Sequence, residues 1–299
     1  MATPSDLWAE RPDFWFTDIA ESRTLRVIDR IASGSFGSVY LARENIDGTT
    51  VAVKRSKIQD AKEEPQAEAL REVRALSHMR GCVRVVQLRS FEFGRWIVQE
   101  LMPMTLRTFM SRHAKLPTPH ASDGGLAHRT VQWLILSLCE AVRACHSQNL
   151  IHRDIKPENI LIDASQSTDM PVLKIADLGM AKIVSERTSL PLTPLVVTIF
   201  YRAPELLSGT NRYYGKPIDV WSVGCVAHEI ITGRVLFPAY DEIALRKMHA
   251  ITPYGNMDRI YVPFFEHTLQ MDPAQRSSIE VVVESVHVLS NNAFRDDHA

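Results

Sequence analysis

Two hydrophobic rhythms run along the chain and meet near residue 102. From 25 to 58, and again near 84–90 and 95–101, apolar residues alternate or come in short bursts such as Val51-Ala52-Val53, which predicts β-strands with a turn at Asp47-Gly48. Between them, residues 62–79 read as a helix, with Pro65 in its first turn and Leu70, Val73 and Leu76 at i, i+3 and i+6. Past Met102-Pro103-Met104 the period lengthens. Val131, Leu134, Ile135, Leu138, Val142 and Cys145 form a stripe of helical period, and helical runs recur near 217–233, 241–250, 262–271 and 277–289. The Pro/Gly/Ser/His stretch at 113–128 has no period and reads as an exposed loop. Residues 1–24 carry Trp8, Phe14, Trp15 and Phe16 among acids and prolines and fit neither spacing. They read as a tail whose aromatics pack locally, with a partner-binding segment as the alternative.

Composition narrows the class. A chain of 299 residues can bury a sizeable core, as one large domain or two. Lys plus Arg number 34 against 35 Asp plus Glu, a net charge of -1, which argues against a basic nucleic-acid binder. With 45% hydrophobic and 23% charged residues the chain is not broadly disordered. Four cysteines without a CxxC pair suggest reduced thiols and an intracellular setting, cytoplasm or nucleus, rather than a disulfide or zinc framework. No stretch approaches the roughly 18 apolar residues of a membrane-spanning helix. Signal-peptide and lipidation patterns are absent, so a membrane is not an expected partner, and the charge balance sets nucleic acid aside.

Candidate chemistry then appears at fixed places. Gly34 and Gly37 flank a turn between strands; alone this is a hairpin, but such backbone amides can approach phosphates, and Val39 could cover a base. Ala52 and Lys54 share a strand face, a small residue beside a phosphate-binding cation, and Glu72 on the following helix is the candidate anionic partner. The segment His152-Arg153-Asp154-Ile155-Lys156-Pro157-Glu158-Asn159 offers a base, a phosphate ligand and a metal ligand. Ala176-Asp177-Leu178-Gly179 follows, then Tyr201-Arg202-Ala203-Pro204-Glu205 and Asp219-Val220-Trp221.

In order and in register, from about 25 to 288, these residues resemble a eukaryotic-type Ser/Thr protein kinase. The resemblance implies an α+β, two-lobed fold: a small antiparallel β-rich N-lobe (25–101) with one key helix, a hinge (100–104) and a larger, mainly α C-lobe (105–288), framed by an extension (1–24) and a short tail (289–299). It also implies ATP and Mg2+ in the cleft at the seam. Lys54 would hold the α- and β-phosphates and pair with Glu72, Asp154 would accept the substrate hydroxyl proton, and Lys156 would stabilise the transferred phosphoryl group. Asn159 and Asp177 would hold the metal. By the same resemblance Thr198 would be catalytic, and Ile31, Gly34, Gly37, Val39, Ala52, Gln99, Glu100, Met102 and Leu161 would line the nucleotide, with Gln99 just before the connector and Leu161 on a strand face shared with Asn159. Glu205 with Arg276 would form a structural ion pair, and Asp219 would brace the catalytic loop.

The stretch Thr193–Arg202 is similar to the cyclin-dependent kinases and their relatives in the CMGC group. Thr193 falls on their activating threonine, Arg71, Arg153 and Lys182 on the three cations that would capture its phosphate, and Val197 and Arg202 on the pocket for proline after the phosphorylated residue. Protein substrates with Ser/Thr-Pro sites, a cyclin-like activating subunit and an upstream activating kinase are therefore the implied partners. The chain departs from the pattern too. Ala32 replaces the first glycine, Leu178 replaces a phenylalanine, Pro65–Glu72 only loosely resembles a cyclin-binding signature, and a C-lobe insertion after Pro238 is missing or trimmed. A pseudokinase scaffold that binds nucleotide and partners without efficient phosphotransfer is the alternative reading.

Overall fold

The computed structural model describes residues 15–17, 24–34, 37–56, 67–92, 96–113, 126–184, 199–207, 214–250 and 257–296. They divide into two compact units. The first holds the described residues up to Met102 together with Asp177–Met180; the second holds those of Pro103–Ala176 and those from Ala181 onward.

In the first unit, strands β1 (Trp15–Thr17), β2 (Thr24–Gly34), β3 (Gly37–Glu44) and β4 (Thr50–Ser56) precede helix α1 (Ala67–His78), and β5 (Leu88–Glu92) and β6 (Trp96–Glu100) follow it. All six strands pair antiparallel in the order β1-β2-β3-β4-β6-β5. Period-two alternation gives the sheet its core: Leu25, Val27, Tyr40, Ala42, Val51, Val53, Trp96 and Val98 form one buried cluster. Val39, Ala52 and Lys54 lie on the opposite face by the same alternation. At the β3–β4 turn Gly48 adopts φ +74° and Asp47 Oδ1 accepts the Thr49 N–H at 2.9 Å, as a tight Asx turn requires.

Three expectations change here. Trp15–Thr17, read as tail, is a strand paired with Thr24–Arg26, while the other residues of the extension lie outside the described set. Helix α1 buries Glu72, Ala75 and Leu76, with Met79 just beyond it, and leaves Leu70 exposed. The expected strand at 84–90 starts only at Leu88, because Gln87 satisfies the preceding backbone locally. Its Oε1 accepts the Gly81 N–H at 2.7 Å, and its Nε2 donates to the carbonyls of Cys82 and Val85 at 2.8 Å.

The second unit is mainly helical. It contains β7 (Met104–Thr105), α2 (Leu106–His113), α3 (His128–Ser147), β8 (Leu150–Ile151), β9 (Ile160–Asp163), β10 (Val172–Ile175), β11 (Lys182–Ile183), α4 (Pro217–Thr232), α5 (Glu242–His249), α6 (Val262–Thr268) and α7 (Ile279–Asp296). The short strands form a β10-β9-β7 sheet and a β11-β8 pair. The predicted α3 stripe from Val131 to Cys145 is buried. Helix α4 is buried on nearly every side, which fits its continuous apolar run, and it stops at Gly233 with φ +68°. Gly224 lets that helix approach the α6 end: a Cβ there would lie 2.7 Å from Thr268 Oγ1 and from Leu269 Cδ2. The helices expected after residue 217 are present, the last running on to Asp296, whereas α2 and the two-residue strands are too short to leave a period.

Candidate active site

In the first unit, β4 carries Lys54 opposite Val39 on β3, and places Ala52 opposite Gln99 on β6. The Lys54 ammonium donates to Glu72 Oε2 and to Asp177 Oδ1, each at 2.7 Å. Burial alone would lower its pKa; Glu72, then Asp177, outweigh that and hold it above the ordinary lysine value. Burial pushes the Glu72 carboxyl up, opposed first by Lys54. Asp177 occupies the left-handed region at φ +58°, a cost sustained by its neighbours. Two residues on, a Cβ added at Gly179 would stand 2.9 Å from Glu68 Cγ, so the Glu68 side chain would have to move aside, and the Gly179 carbonyl accepts from Arg71 Nε at 3.1 Å.

In the second unit, the turn after β8 gathers the other candidate groups. Asp154 Oδ2 accepts from Lys156 Nζ at 2.7 Å and from Asn159 Nδ2 at 2.8 Å. The same Asn159 nitrogen donates to the Asp154 carbonyl at 2.9 Å, which leaves the amide oxygen as the atom able to meet a metal. Asn159 closes a short 3-10 turn, Pro157–Asn159, and so precedes β9 rather than sharing a strand face with Leu161. His152 locks this turn: its Nδ1 accepts the Asp154 N–H at 3.2 Å, so Nε2 carries the proton and donates to the Ala176 carbonyl at 3.0 Å. Asp219, on α4, accepts the backbone N–H groups of His152 and Arg153 and a bond from His146 Nε2. Burial would raise its pKa, but the hydrogen bonds it accepts, from His146 first and from the Arg153 N–H, hold it below the ordinary carboxylate value.

The remaining predicted residues fall as follows. Ile31 is exposed on β2, Gly34 and Gly37 pair at the end of the β2–β3 hairpin, and Glu100 and Met102 are half-buried at the end of unit one. Leu161 pairs with Lys174. Arg153 donates to Tyr214 Oη at 2.9 Å, and the pKa of Lys182 is lowered by burial and then by the charge of Arg153. Arg202 is buried and bonds Glu242 Oε1 at 2.6 Å. Arg276 holds Glu205 through two nitrogens, at 2.7 and 3.1 Å. Thr193, Val197 and Thr198 lie outside the described residues.

Sequence reasoning missed two groups. Glu68 stands one helical turn before Glu72, so its i, i+4 spacing could have placed it on the same face. Arg107 on α2 joins Glu158 (2.8 Å), Tyr201 Oη (2.8 Å) and the buried Glu229; partners so far apart in sequence leave no local signal.

The protein kinase domain pattern matches residues 25–288. Cyclin-dependent kinase B2-1 of Oryza sativa subsp. japonica is 34% identical over 253 residues, covering 79% of this chain and 72% of that protein. Cell division control protein 2 homolog C of Antirrhinum majus is 35% identical over 227 residues, 72% of this chain and 70% of its own. Cell division control protein 2 homolog 1 of Trypanosoma brucei brucei is 36% identical over 212 residues, 70% and 65% respectively. These relatives lend no support to the scaffold alternative. Among the described residues no helix is long and apolar enough to cross a membrane. An antiparallel β-sheet unit followed by a mainly helical one is the fold of this group, and the chain belongs to the protein kinase family, as an ATP-using Ser/Thr kinase of proteins that resembles the cyclin-dependent type.

Proposed function

We propose that the chain phosphorylates Ser or Thr residues that precede proline, using Mg2+-bound ATP, and that phosphorylation of Thr193 raises its activity. The observation that carries the catalytic reading is the pair of preassembled clusters, Lys54–Glu72–Asp177 in one unit and Asp154–Lys156–Asn159 in the other. Lys54 is charged and steered by two carboxylates, as a ligand for the α- and β-phosphates must be. Asp154 accepts the substrate hydroxyl proton, and Lys156, on the same carboxylate oxygen, meets the charge on the moving phosphoryl group. Asp177 in the first unit and the Asn159 amide oxygen in the second are each a hard oxygen donor of the kind Mg2+ prefers. The metal would supply charge neutralisation on the phosphates.

Proline direction rests on the resemblance at Val197 and Arg202. A residue with an N–H would need an acceptor there that proline does not. Thr193 control rests on the resemblance, in which Arg71, Arg153 and Lys182 are the cations that would capture its phosphate. The names of the relatives suggest a cyclin-like activator, although the exposed Leu70 face of α1 sits in a sequence only loosely like a cyclin-binding one.

The test is a radiolabelled phosphotransfer assay on paired peptides that differ only by Pro or Ala after the serine. Labelling of the Pro peptide alone, lost in Asp154→Asn and reduced in Thr193→Ala, is expected. Equal labelling of both peptides would refute proline direction, and full activity of Thr193→Ala would refute the switch.

A further inference from the structure

The Glu72 carboxylate is divided between donors on two neighbouring strands. Lys54 Nζ on β4 takes Oε2 at 2.7 Å, and Gln99 Nε2 on β6 takes Oε1 at 3.1 Å. The register sets Gln99 opposite Ala52, so it lies diagonally from Lys54 on the same sheet face, and Glu72 reaches into that diagonal from α1. Glu72 is 1% and Gln99 8% exposed, so water does not replace either donor. A carboxylate held at one oxygen can still rotate; held at both, it presents Oε2 to Lys54 in a single orientation.

We infer that Gln99 is a positioning residue for phosphotransfer: its amide fixes the Glu72 carboxylate and through it the Lys54 ammonium. This rests on the reading of Lys54 as the phosphate ligand. Gln suits the place because it donates a hydrogen bond without adding charge beside Glu72, Asp177 and Glu68. An apolar residue of similar size leaves Oε1 buried without a donor, and Glu adds a further carboxylate around a single ammonium.

A residue that only lined the base would act on adenosine and ATP alike. A residue acting through Lys54 affects the phosphates. In the full chain, Gln99→Met is expected to lower kcat about tenfold and to weaken ATP binding, with adenosine binding within about twofold of wild type. In a Glu72→Ala background Gln99→Met should add little further loss. Equal weakening of adenosine and ATP with unchanged kcat would overturn the inference, as would losses that multiply independently in the double variant. Should Gln99→Met not fold, Gln99→Thr, which is too short to reach Glu72, carries the same expectation. Phosphotransfer by wild type in the same assay keeps the two readings apart: if it were absent, the kinase reading would fail, and the ATP-to-adenosine binding ratio would still decide the role of Gln99.

Discussion

Asp219 holds the backbone of Arg153 in the left-handed region. Its Oδ1 accepts the Arg153 N–H at 2.9 Å, where φ is +71°. A non-glycine residue keeps that conformation only when its surroundings compensate for the cost. The compensation comes from a 1% exposed carboxylate that also takes His152 N–H and His146 Nε2 on its other oxygen. Asp219→Asn sets an NH2 group against a backbone donor in the interior. It is expected to lower stability by about 2–4 kcal/mol. Because Asp154 is the next residue after Arg153, kcat should fall at least about tenfold in the protein that remains folded. Urea unfolding and steady-state kinetics on the same preparation check both.

His249 predicts a pH dependence. Its ring packs edge-on against Phe237 (4.5 Å) and Trp221 (4.9 Å), and among the described residues neither nitrogen has a hydrogen-bond partner. Burial, then the positive charge of Arg276, lower its pKa from 6.5 to about 4. The folded state therefore favours the neutral ring. This stability is complete above the unfolded value of 6.5 and is lost as pH falls from there toward 4. Allowing for residual solvent access, the loss should reach about 2 kcal/mol. His249→Phe should remove that share of the slope. Denaturant midpoints at about pH 7.5 and about pH 5 make the comparison.

Arg276 satisfies acceptors on three segments at once. Besides Glu205 it donates to the Gln270 carbonyl at 2.8 and 3.1 Å and to the Pro217 carbonyl at 2.8 Å. A planar guanidinium spans these positions, whereas an ammonium cannot. Arg276→Ala leaves Glu205 buried without its cation and should cost about 3–5 kcal/mol. Arg276→Lys should recover less than half of that. Thermal unfolding of the two variants gives the ranking.

Gly224 is fixed by packing rather than by backbone conformation. Its missing Cβ makes room for Leu269 and Thr268, so Gly224→Ala should destabilise by about 1–3 kcal/mol although alanine is the better helix former. A companion Leu269→Ala change opens space there and should make Gly224→Ala less harmful. Measured stabilities in a double-mutant cycle test that sign.

What could be read from the chain follows from the range of the forces involved. Strand alternation at Val51–Lys54 and the α3 stripe are local periodicities, and both are found in the fold. The chemical groups around Asp154 lie within six residues of one another and were legible for the same reason. Asn159 reads in the sequence as a strand residue because a single 3-10 turn leaves no period. The apolar period points Leu70 inward, but the demand of Lys54 for a counter-charge turns Glu72 to the interior and leaves Leu70 exposed. The Gln99–Glu72 bond and the Arg107 network join partners 27 to 122 residues apart, where only tertiary structure reveals the pairing.

The place of Asp177–Met180 bears on how the protein is made. These four residues complete the first unit, yet the chain on both sides of them belongs to the second. Lys54 therefore waits for a partner 123 residues further along. On a ribosome emitting about 5–20 residues per second, Lys54 is made several seconds before Asp177. A fragment ending at Met102 would remain in that unfinished condition. Its ammonium would lack one of its two carboxylate partners, and a synthetic peptide spanning Ala176–Ala181 would be the piece that supplies it.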